Sequence, residues 1–160
     1  MIKGLNKLSI VPVLIFLVLL SSCNSSVVFT KSKAITGETW NLMDAAVFKV
    51  PITDTLTSNN VNFSIRTGPT YPFRNIYLFV SATSPAGKTI TDTLQYDLAD
   101  EKGSWYGKGF GDLHELILPY KSNVFFPAKG IYEFKIQHGM RVENLKGVYD
   151  ISLKIDKIKK

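Results

Sequence analysis

Beyond residue 23, apolar and polar side chains alternate along the chain with a period of two. In 61–66, Val61, Phe63 and Ile65 alternate with Asn62, Ser64 and Arg66. In 132–137, Tyr132, Phe134 and Ile136 alternate with Glu133, Lys135 and Gln137, and in 151–156 Ile151, Leu153 and Ile155 alternate with Ser152, Lys154 and Asp156. Successive side chains of a strand point to opposite faces, so each segment reads as a half-buried strand. Segment 75–83 is apolar on both parities from Ile76 to Val80, which predicts a central strand covered on two sides. Further strands are expected over 27–30, 46–50, 89–98, 113–118 and 123–126. Turn-forming residues separate them at 67–70, 84–87, 100–103, 127–130 and 146–147. No stretch sustains an i, i+3, i+4 pattern beyond about two turns, so any helix is a short connector near 139–145.

Eight or nine short strands must each bury one face, and two packed sheets or a closed barrel do this. The expectation is an all-β domain, a single β-sandwich of jelly-roll or immunoglobulin-like type, over residues 31–160.

The first 22 residues have a different character. Lys3 and Lys7 precede an uncharged apolar run over 8–20. That run is shorter than the roughly 20 residues a membrane-spanning helix needs, and it fits the hydrophobic region of an export signal. The only cysteine, Cys23, follows directly. It has no partner for a disulfide, and the two histidines, His114 and His138, are too few and too distant for the four ligands of a zinc site. Leu20, Ser21, Ser22 and Cys23 resemble the lipobox of bacterial lipoproteins. The resemblance implies cleavage between Ser22 and Cys23, diacylglycerol on the Cys23 sulfur and acylation of the new amine. Residues 1–22 are then a lipoprotein signal peptide, 23–30 a lipidated N-terminus and short tether, and Cys23 the contact with the lipid bilayer. Asn24, Ser25 and Ser26 carry no charge. Surface-exported lipoproteins of Bacteroidota tend to be acidic here, so an orientation toward the periplasm is expected.

The formal charge is +6, from 19 basic and 13 acidic residues; without Lys3 and Lys7 the mature chain has 17 basic residues and a net charge of +4. Export and this small excess argue against a nucleic-acid partner. Much of the excess lies in 154–160, where lysines either approach anionic lipid or keep an edge strand from aggregating. The glycines at 107, 109 and 111 lack the spacing of a phosphate-binding loop and read as a bulge or close backbone approach. Asp112, His114 and Glu115 do not converge, because neighbours on a strand face opposite ways. Ser104 has no nucleophile-elbow pattern around it. We therefore assign no catalytic residue, metal site or cofactor. Tyr71, Phe73, Arg74, Trp105 and Tyr106 lie in or beside predicted loops. Residues of these types dominate protein interfaces, could stack on sugar rings, or could cap the core.

Segments 71–79, 92–100, 103–109 and 130–134, with Met140, Arg141 and 145–148, are similar in order and kind to the gliding-motility lipoprotein GldH family of Bacteroidota. The resemblance implies an outer-membrane lipoprotein needed for gliding and associated with the type IX secretion machinery, with other lipoproteins or outer-membrane proteins of that machinery as partners. It carries over no catalytic residue and gives only Cys23 a defined role. A periplasmic glycan- or peptidoglycan-binding lipoprotein is the alternative. Replacing Cys23 by Ala should abolish incorporation of labelled palmitate and leave the precursor unprocessed; continued labelling of that variant would refute the anchor.

Overall fold

The alternating segments form the strands of an all-β protein in the computed structural model, which describes residues 26–158. In chain order these are β1 (Val27–Ala34), β2 (Thr39–Asn41), β3 (Ala46–Ile52), β4 (Asn59–Thr67), β5 (Asn75–Thr83) and β6 (Thr89–Asp97). They continue with β7 (Lys108–Phe110), β8 (Leu113–Val124), β9 (Gly130–His138), β10 (Asn144–Lys146) and β11 (Val148–Lys157). A one-turn 3-10 segment, Thr36–Glu38, is the only helical element among the described residues. The strands make a five-stranded sheet, β1-β11-β4-β8-β7, a four-stranded sheet, β3-β9-β5-β6, and a two-stranded ribbon, β10-β2. All pairings are antiparallel.

Register follows from the alternation. Val61, Phe63 and Ile65 of β4 lie opposite Ile155, Leu153 and Ile151 of β11, so two apolar rows meet on one face. In the four-stranded sheet Phe48 faces Phe134, Val50 faces Tyr132, and Ile136 faces Val80. The inward rows of both large sheets belong to one buried cluster, joined by Trp40 and Leu145 of the ribbon. Polar bonds tie the flanks of the sheets. Lys33 of β1 pairs with Asp44 before β3. On the other flank Tyr96 Oη donates to the Pro119 carbonyl at 2.7 Å, and Tyr120 Oη donates to Asp92 at 2.7 Å. Lys121 reaches the same carboxylate at 3.1 Å.

The long strands run between two ends. One end gathers Ser26, the start of β4 and the close of β3, β8 and β11; Lys157 N donates there to Ser26 O at 2.8 Å, and Ile158 N to Ser58 O at 2.9 Å. The other gathers Ala34, Thr67, Leu113, His138 and the ribbon. At about 3.3 Å per residue, the nine residues of β4 separate the two ends by roughly 26 Å.

Several expectations need correction. β5 is central in its sheet, but Tyr77 and Phe79 are exposed on its outer face, so it is covered on one side only. The basic C-terminal strand is not an edge: β11 sits between β1 and β4. β1 starts at Val27, so 27–30, assigned to the tether, is already paired in the sheet. The one short helical connector among the described residues is Thr36–Glu38 and not near 139–145, where Leu145 pairs with Trp40 and is fully buried. Segments 113–118 and 123–126 are largely one strand, since β8 continues through Pro119 with register shifts opposite Val61 and Asn62.

Gly147 is fixed by this packing. Its φ is +74°, and an added Cβ would lie 2.2 Å from the Tyr71 nitrogen. Gly87 has φ +81° but open space around it. Gly87→Ala should therefore cost roughly 1 kcal/mol from backbone strain alone, whereas Gly147→Ala should cost more than about 2 kcal/mol. Urea denaturation midpoints of the two variants check this ordering.

Candidate functional site

Three of the five aromatic and basic residues expected at an interface, Tyr71, Phe73 and Trp105, belong to one ring assembly at the end away from Ser26. After β4 the chain turns tightly: Gly68 N donates to Gly147 O at 2.9 Å, and Tyr71 N to Gly68 O at 3.0 Å. This drives the Tyr71 ring inward. Only 5% of Tyr71 is exposed, and its Oη donates to the Asn75 carbonyl at 2.8 Å. Burial raises the pKa of this phenol well above its ordinary value. Phe73 and Trp105 meet the Tyr71 ring edge-on at 6.1 and 6.0 Å. Trp105 also stacks on His114 at 5.5 Å with the rings 11° apart.

The loop after β6 is held by its backbone. Leu98 N and Ala99 N both donate to the Arg74 carbonyl, at 2.8 and 3.1 Å, and Tyr106 N donates to Leu98 O at 2.9 Å. Asp100 Oδ1 accepts from Lys102 N and Ser104 N, both at 2.8 Å, an Asx arrangement that closes the turn. Gly109 would place a Cβ 1.6 Å from the Leu113 carbonyl, and Gly107 one 2.7 Å from that of Glu115, so these glycines serve close backbone approach between β7 and β8.

The five interface candidates therefore divide. Tyr71 is a core residue and offers no contact surface, a correction to its assignment. Phe73 and Trp105 are half-buried against the core. Arg74 and Tyr106 are exposed, Tyr106 by 58%. Beside Phe73 the structure opens a groove of about 610 Å³ lined by Phe73, Tyr77, Gly139, Met140, Arg141 and Val142. Sequence reasoning placed Tyr77 in a covered strand and so missed it. The detectable signal was Gly139: its hydrogen-only position lies against the Phe79 ring, where a Cβ would come within 2.9 Å, so glycine lets segment 139–142 lie along β5 without displacing that ring.

His114 and Glu115 face opposite sides of β8, one half-buried against Trp105 and the other exposed, while Asp112 is exposed in the β7–β8 turn. Among the described residues no three His, Cys, Asp or Glu side chains gather at metal-binding distances. Ser22 and Cys23 lie outside the described residues.

His138, at the end of β9, is fully buried and meets Trp40 edge-on at 5.4 Å. Its ring nitrogens make no hydrogen bond of ordinary geometry among the described residues. Burial lowers its pKa, and the nearby backbone of Trp40 and Glu143 offsets this only in part. The ring is thus neutral in the folded state at pH 7.

A sequence model of a family described as GldH lipoprotein matches residues 27–155. The gliding motility lipoprotein GldH of Flavobacterium johnsoniae is 34% identical over 146 residues, covering 87% of this chain and 90% of the relative. A GldH homolog from Christiangramia forsetii is 32% identical over 148 residues, covering 88% and 90%. Among solved structures, a family GH115 4-O-methyl-α-glucuronidase aligns with a TM-score of 0.36 at 14% identity, over 83% of this chain and 18% of that enzyme.

The buried histidine makes stability depend on pH. An unfolded chain takes up a proton on His138 near the ordinary value of 6.5, and the folded chain only at lower pH, so stability should be level above pH 7 and fall as the pH drops below about 6.5. Denaturant midpoints measured from pH 8 to 5 should show this slope, and His138→Leu should remove its share of it.

Proposed function

The chain belongs to the GldH lipoprotein family, and from that membership we propose that it is a lipid-anchored, non-enzymatic assembly component of gliding motility and of the type IX secretion machinery. One observation carries the mechanism. The chain leaves the domain toward Cys23 at Ser26, while Arg74, Tyr106 and the Phe73 groove lie at the opposite end of the same strands. A protein held by acyl chains on Cys23 presents that far end away from the bilayer. In this reading the two large sheets are the layers of one β-sandwich, and its strands act as a rigid spacer about 26 Å long.

The far end suits protein recognition. Exposed Tyr supplies contact area at low entropic cost, Arg supplies a fork of donors, and the half-buried Phe73 and Trp105 hold them on a fixed support. Met140 and Arg141 extend the surface along the groove. Neutral residues at 24–26 favour the periplasmic face of the outer membrane, with lipoproteins or outer-membrane proteins of the machinery as partners. Glycan binding is the weaker reading, because His114 already covers one face of Trp105, the largest ring available for stacking on a sugar.

Chemical crosslinking in native membranes tests the proposal. The wild-type chain should capture membrane proteins, and Arg74→Ala combined with Tyr106→Ala should reduce capture at least tenfold, equivalent to about 1.4 kcal/mol, with the denaturation midpoint unchanged. Undiminished capture by the double variant would reject this surface. Retention on isolated peptidoglycan without any crosslinked protein would favour glycan binding.

A further inference from the structure

The end of the domain beside Ser26 bears an exposed apolar rim. Leu56, in the loop between β3 and β4, is 88% exposed; Phe125, after β8, is 58% exposed; Ile131, at the start of β9, is 60% exposed. They share this end with Ser26. β4 begins opposite the last residues of β8 and β11, with Asn59 paired to both Val124 and Lys157, and Gly130 at the start of β9 pairs with Ile52 at the close of β3. The Leu56 loop is fastened to the same place, since Asp54 accepts from Lys157 at 2.8 Å and its carboxyl is thereby held well below the usual range.

Charge at this end is mainly positive. Lys88 and Lys129 are exposed in the adjoining turns, and the sequence closes with Lys159 and Lys160 directly after Ile158. Asp54, Asp92 and Asp156 on this rim and flank are each paired with a lysine, Lys157, Lys121 and Lys154 respectively.

Chain length then decides what covers the rim. Ser26 follows Cys23 by three residues, and its carbonyl is fixed to β11. Three residues extend at most about 11 Å, so this end stays within about two headgroup-layer depths, each roughly 5–8 Å, of a lipid on Cys23. Apolar side chains flanked by lysines are the pattern that settles into the interface of an anionic bilayer. We infer that the Ser26 end of the domain seats directly on the membrane, with Leu56 and Phe125 inserted among the headgroups and the lysines against anionic lipid. The inference rests on acylation of Cys23, and it adds a second, non-covalent membrane contact that sets the orientation of the domain.

The test uses the full lipidated chain in vesicles of phosphatidylethanolamine and phosphatidylglycerol at three to one, with a fraction of the lipid brominated on the acyl chains near the headgroup. Native Trp40 and Trp105 lie at the far end and give the baseline fluorescence. Leu56→Trp should add a blue-shifted emission that brominated lipid quenches by at least half. Met43→Trp, exposed at the far end beside the ribbon, should add an emission that is not quenched. Mass spectrometry of Cys23 and vesicle flotation separate the two ideas. An acylated chain that floats but leaves the Leu56→Trp emission unquenched overturns the seating, including the case of a blue-shifted, unquenched emission, which assigns the rim to a second protein or a second copy. A chain without acyl mass on Cys23 overturns the anchor and the seating together.

Discussion

The insertion of β11 between β1 and β4 is the constraint on which the rest of the molecule depends. The last strand supplies the central apolar row of the larger sheet, with Ile151, Leu153 and Ile155 facing their counterparts on β4. It also binds the beginning of the described chain, because among the described residues β11 is the one strand that pairs with β1. The same ladder sets the two ends of the domain. Ser26 and Ile158 emerge side by side at one of them, and Arg74, Tyr106 and the Phe73 groove lie at the other.

That far end is built from the inside outward. Gly147 yields space for the Tyr71 backbone, Tyr71 fills the end of the core, and Phe73 and Trp105 rest on its ring. The outer residues, among them Arg74, Tyr106 and the Met140–Arg141 side of the groove, face outward from this support. Buried aromatics therefore have a positional role: they hold a small polar and aromatic surface at a fixed distance from the opposite end. His138 belongs to the same support, packed against Trp40 behind the groove segment.

The strands were legible in the sequence because most of them bury one face, and alternation is a direct record of that. β4, β9 and β11 show it without ambiguity. β5 misled because Tyr77 and Phe79 are apolar yet face outward, where segment 139–142 and the groove, rather than another layer, lie over them. The ribbon strands β2 and β10 were invisible for a different reason: three residues are too few to display a period, and their stability comes from Trp40 and Leu145 entering a core assembled elsewhere. At the site, residue type identified Arg74 and Tyr106, but type alone could not separate them from Tyr71. Burial of Tyr71 is decided by the Gly68–Gly147 contact, which joins residues 79 positions apart and leaves no local trace.

The geometry of the β1–β11 ladder also has a mechanical meaning. β1 starts at the Ser26 end and runs to the far end, paired with β11 from Val27 opposite Asp156 to Ala34 opposite Asp150. A partner pulling on the far end against acyl chains at Cys23 would draw β1 along its own axis relative to β11. The backbone hydrogen bonds of the ladder would then carry the load together in shear, instead of opening one after another as in a zipper. Such a module is suited to transmitting tension between a moving complex and a lipid surface without coming apart at the strand nearest its anchor.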